Sequence, residues 1–181
     1  MLEMWKARRA RKAAVATILP LVERSRFRSG QFSDSHWLDA YMVGFLVMLI
    51  TLVAQRRVHS LGSDTLGNVQ ADAWQEITGL PGNIVGEEAC LLSATGHRDF
   101  ERGCENASKL MNAIISGAER HPSSEESGNL GGAIYDDDAS AALPPGLGDT
   151  EHDRNLQSMW REFFEGPMTL SPIQAADRDR Q

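Results

Sequence analysis

Cysteine is scarce in this chain: Cys90 and Cys104 are the two in 181 residues. That excludes a disulfide framework and suits a reducing compartment, so the expected location is the cytoplasm. The five histidines, His36, His59, His97, His121 and His152, never fall four apart, and no Glu-x-x-His pair occurs. Neither a zincin helix nor a di-iron bundle can be drawn from them. Gly131-Gly132 and Gly146-x-Gly148 follow no strand and form neither a Walker nor a dinucleotide fingerprint. Asp136, Asp137 and Asp138 lack the alternate spacing and central glycine of a calcium loop. A nucleophile elbow is also missing, and the serines gather at helix caps and in a polar stretch. No catalytic residue, metal or cofactor is expected, and the chain reads as a non-enzyme.

One spacing keeps an alternative open. Cys90, His97 and Cys104 are evenly placed around a turn between two expected helices, so a hairpin there would bring thiols and imidazole close. Such a cluster binds zinc or responds to oxidation. The plainer reading makes both cysteines small apolar residues on helix faces.

Charge is what Ala40 to Ala54 lacks: AYMVGFLVMLITLVA holds fifteen uncharged residues in a row. As an α-helix it is about 22 Å long, against the roughly 30 Å of a bilayer core. The expected structure is therefore the central helix of a small bundle, wrapped by its neighbours. The membrane alternative takes 37–55 as a short span or anchor, with Trp37 and Tyr41 as one interfacial belt and Arg56 and Arg57 as the other. Asp39 opposes it, because that carboxylate falls inside 37–55 and would have to be solvated within lipid. Ala40 and Gly44, four apart, leave room for a close neighbouring helix.

Around that run the pattern is helical throughout. Lys6, Arg8, Arg9, Arg11 and Lys12 open a first helix, which turns apolar from Ala13 to Val22 and is expected to end or kink at Pro20. A secretory leader fits poorly, since Glu3 interrupts the basic front and no small-residue cleavage site follows Val22. A second helix is expected over about 35 to 57. Leu66, Val69, Ala73 and Ile77 mark a third that stops at Gly79. Ile84, Leu91 and Ala94 mark a fourth over 83 to 95. Phe100, Cys104, Ala107, Met111 and Ile114 mark a fifth, capped by Asp99. The expected fold is thus all-α, about five helices in residues 1–118.

Beyond Arg120 the sequence turns rich in Gly, Ser, Pro and acid without a sustained period, and 119–153 reads as a flexible acidic linker. Leu156, Met159, Trp160 and Phe163 then form an i, i+3, i+4, i+7 stripe on a short amphipathic helix over 154–165, followed by a disordered tail, 166–181. These four residues are the candidate partner-binding face, seated either on a partner or on the chain's own domain. Charge is polarised as well. Residues 1 to 57 hold ten basic and four acidic side chains, while 58 to 181 hold eight and twenty-one, within a net charge of -7. That split favours self-docking of the acidic end near Lys6 to Lys12. Nucleic-acid binding is not expected from an acidic domain, pI about 5.2, without a helix-turn-helix. The functional expectation is an adaptor, chaperone-like or regulatory protein that acts through helix packing on an unidentified protein partner or a second copy of itself.

Overall fold

The computed structural model describes residues 2–120 and 151–169. Six helices come from the first segment: α1 (Leu2–Ser29), α2 (Asp34–Trp37), α3 (Ala40–Arg57), α4 (Ser63–Thr78), α5 (Gly82–Ala94) and α6 (Arg98–Arg120). The second segment supplies α7 (Glu151–Trp160), a π-helical turn (Arg161–Glu165) and α8 (Gly166–Thr169). No strand occurs among the described residues, so the chain is an all-α bundle. Most of the expected linker, 121–150, and of the expected tail, 170–181, lies outside the described residues. The linker's expected edges move, because α6 continues to Arg120 and α7 already begins at Glu151.

The apolar run forms the centre. No residue from Ala40 to Ala54 is exposed, and α1, α4, α5 and α6 all pack on α3. Ala40–Arg57 is also apolar and long enough, by composition alone, to cross a membrane. Asp39 settles where α3 starts. Its carboxylate accepts a hydrogen bond from the Tyr41 N–H at 2.9 Å, so it caps the helix instead of lying within it. The helix expected over 35–57 is therefore two, with α2 as a separate turn before the cap.

Close approach of α3 and α6 rests on two glycines. A Cβ on Gly44 would stand 2.2 Å from the Phe100 carbonyl oxygen, and one on Gly103 2.2 Å from that of Tyr41. Both distances are far inside van der Waals contact, so the backbones meet with nothing between them. Cys104 joins this seam, with its thiol 3.5 Å from the Gly44 carbonyl oxygen.

Two expectations are corrected. The first helix does not end at Pro20 but runs on to Ser29. Pro20 lies on the exposed side, where water can meet the carbonyl it leaves without a donor, while Ile18, Leu21, Val22 and Ser25 stay buried on the other. Helix α5 faces inward through Val85 and Leu92, with Ala89 half-buried, whereas Ile84, Leu91 and Ala94 are exposed. Gly82 sets that register. It presses on α4 so closely that a Cβ there would meet the Ala71 carbonyl oxygen at 2.2 Å.

Candidate functional site

The sequence-chosen stripe is folded against its own body. Leu156 and Trp160 are 5% and 2% exposed, and Met159 and Phe163 are half-buried against the main core. Phe164 and Met168, which the stripe omitted, are as deeply buried as Trp160. The interior face is thus Leu156, Trp160, Phe164 and Met168, four apart at every step. On a regular α-helix of 3.6 residues per turn, positions four apart drift by about 40° each time. The wider π-turn over Arg161–Glu165 absorbs part of that drift and keeps Phe164 below Trp160.

Phe164 is the hub of an aromatic cluster. Its ring lies 4.3 Å from Trp160, 5.7 Å from Phe32, 5.9 Å from Trp37 and 6.4 Å from Phe45, between centroids. The stacked Trp160–Phe164 pair is the contribution of the C-terminal strap, Leu156–Met168. The receiving rings come from the α1–α2 connection, α2 and α3.

Polar groups fasten the same segment at two points. At the first, the Trp160 indole N–H donates to Ser25 Oγ at 2.9 Å, and that hydroxyl lies 2.6 Å from Glu165 Oε1. Ser25 Oγ is also 3.1 Å from the Leu21 carbonyl oxygen, but it has a single proton, and the carboxylate is the nearer and stronger acceptor. Arg28 pairs with Glu165 as well. A wholly buried serine is tolerable on α1 because each of its lone-pair and proton demands is met. At the second point the Tyr41 hydroxyl donates to the Phe163 carbonyl at 2.9 Å and accepts from Asn106 Nδ2 at 3.1 Å. The cause is in the chain: the α-helical donor for that carbonyl would be the N–H of residue 167, and residue 167 is proline.

Burial pushes the Tyr41 phenol above its ordinary value, with Glu162 adding to the effect and Asn106 and Arg102 opposing it. A raised folded-state value means that the native protein holds this proton more tightly than the unfolded chain. Its contribution is complete below about pH 10 and is lost as pH rises through the folded value. In a Tyr135→Phe background, alkaline absorbance titration should show Tyr41 ionising late, together with release of the strap. A phenolate signal at the ordinary phenol value with the strap still seated would contradict this.

Self-docking is therefore present, but its charge contact differs from expectation. Glu165 meets Arg28 near the end of α1, while Arg11, in the basic arm, meets Asp72 and Glu76 of α4. The Cys90, His97, Cys104 constellation is not assembled. Cys90 is exposed on α5, Cys104 lies on the α3–α6 seam, and no three His, Cys, Asp or Glu side chains among the described residues converge as metal ligands. Burial also raises the Cys104 thiol, against the thiolate form that metal binding or attack requires. Between α1 and the strap a notch lined by Leu21, Arg24, Arg28, Leu156, Gln157 and Trp160 holds about 10 Å³, room for a single water. No protein-family model, curated protein or solved structure matches this chain.

Proposed function

We propose that the protein is a non-catalytic adaptor or regulatory protein whose strap, Leu156–Met168, exchanges between its own body and a protein partner. One observation carries the reading: the segment's apolar face is seated through a local set of aromatic contacts and two polar fastenings. Its covalent link to α6 is 121–150, a stretch of thirty residues. A partner must then compete with self-docking, and its apparent affinity is lowered by the fraction of chains that are closed. Leu156, Met159, Trp160 and Phe163 remain the proposed recognition face, and Phe164 and Met168 extend it. The cytoplasm remains the proposed location.

Two substitutions with opposite effects test this. Arg28→Glu places a second carboxylate beside Glu165 and weakens closure without altering the strap's apolar face. Trp160→Ala removes the centre of that face. In quantitative capture with the full chain, a genuine partner should be enriched by Arg28→Glu and lost with Trp160→Ala. If no protein responds to the two variants in opposite directions, the strap is a fixed part of the fold and the adaptor reading fails.

A further inference from the structure

Five cations, Lys6, Arg8, Arg9, Arg11 and Lys12, crowd the front of α1, at the other end of that helix from the Ser25 and Arg28 that hold the strap. The front of α1 packs there on the last turn of α3: Ala7 and Ala10 share one apolar cluster with Ala54, Val58 and Val69. Lys6 pairs with Glu3 on its own helix at 2.9 Å, and Arg11 with Asp72 of α4 at 3.6 Å. Arg8, Arg9 and Lys12 fall within an arc of about 100° on a helix of 3.6 residues per turn, and Trp5 lies in the middle of that arc. Arg8 and Lys12 are exposed, and the Arg9 guanidinium stands over the Trp5 ring at 4.7 Å. Beside them two large apolar side chains stand in water, Met4 at 78% and Trp5 at 53% exposed.

We propose that this pole, Trp5 and Met4 set among Arg8, Arg9 and Lys12, docks the protein on an anionic lipid bilayer surface. Charge complementarity selects that occupant. Residues 3–12 hold five basic side chains and one acidic one within a protein of net charge -7, so an anionic surface favours this end. The apolar pair separates lipid from nucleic acid. Bases can stack on Trp5 and phosphates pair with the cations, but neither rewards Met4, whereas a headgroup layer rewards cations, indole and the apolar Met4 together. The contact is peripheral and leaves α3 within the bundle.

The test uses the full chain with vesicles of phosphatidylglycerol and phosphatidylcholine in equal parts, and with pure phosphatidylcholine as control. The tryptophans report directly, because Trp37, Trp74 and Trp160 are buried and Trp5 is the exposed one. Sedimentation with the anionic vesicles and quenching of Trp5 by brominated lipid are the expected results. Since each surface cation contributes about fivefold to partitioning, Arg8→Gln combined with Lys12→Gln should weaken binding about 25-fold. Trp5→Ala should weaken it as well, and circular dichroism and thermal melting are to show both variants folded like the parent. Equal sedimentation with neutral vesicles, or binding that the double variant leaves intact, overturns the proposal; the second outcome would point to insertion of α3. A single-stranded oligonucleotide that strips the protein from vesicles while Trp5 escapes lipid quenching overturns it too, in favour of nucleic acid.

Discussion

Gly103→Ala is expected to destabilise the bundle by about 3 kcal/mol or more, since overpacking a tight core costs roughly 1 to 3 kcal/mol even where side chains can yield. Here they cannot. The added methyl would meet the Tyr41 carbonyl oxygen at 2.2 Å and the Phe45 nitrogen at 2.8 Å, both backbone atoms of α3. Relief requires α6 to withdraw along the longest helix contact in the molecule, opening Ala107 and Leu110 as it goes. Gly44→Ala should behave alike, from the other side of the seam. The control is a glycine with the same intrinsic chemistry and open surroundings. Gly86, in the middle of α5, has nothing within 4 Å of its missing Cβ, so Gly86→Ala should raise stability by about 1 kcal/mol through helix propensity. Thermal and urea denaturation would separate the two signs. A mild effect at Gly103 would mean that α3 and α6 are not held at backbone distance.

How far the sequence declared this fold depends on which residues carried the signal. The central helix, the α4 stripe of Val69, Ala73 and Ile77 and the stop at Gly79 were all legible, because large side chains and a left-handed glycine, φ 85°, mark them. What misled was treating glycine as a gap in a hydrophobic pattern. On α5 the buried face is Gly82, Val85, Ala89 and Leu92, a helical spacing of three and four that becomes visible once Gly82 is counted as a contact residue. Omitting it moved the expected face by one residue, onto Ile84 and Leu91. Gly103 escaped notice for the same reason.

The strap shows a second kind of loss. Its stripe was sought at α-helical spacing, which selects Phe163, while the chain uses a π-turn that brings Phe164 inward. The cue was Pro167, two residues past the expected end of the helix. Lacking an N–H, it leaves the Phe163 carbonyl to another donor, and Tyr41, 122 residues earlier, supplies it. No reading of local periodicity could have named that partner. The basic pole is similar: Lys6 to Lys12 were plain in the sequence, but that Ala7 and Ala10 turn inward while Trp5 stays in water depends on how α1 crosses α3.

Trp160→Ala has the second large expected effect, about 3 to 5 kcal/mol, the usual result of truncating a buried tryptophan. The consequence should be local. The lost ring is stacked on Phe164 and its N–H ends on Ser25, so the variant leaves a cavity under the strap and frees the buried hydroxyl from a donor. Neither contact belongs to the α3–α6 seam. Amides of 154–168 should therefore exchange with solvent much faster, while those of α3 around Gly44 and of α6 around Gly103 keep their protection. Loss of protection across all helices at once would show that the strap is an inseparable part of the core, and an exchangeable strap could not then be the working element. The register of the π-turn gives an internal check on the same measurement. Phe164 is wholly buried and touches four rings, whereas Phe163 is half-buried and is held chiefly by its carbonyl. Phe164→Ala should then approach Trp160→Ala in effect, and Phe163→Ala should be milder, because a side-chain truncation leaves the hydrogen bond to Tyr41 in place. The reverse order would return the stripe to α-helical spacing and remove the reason for the turn.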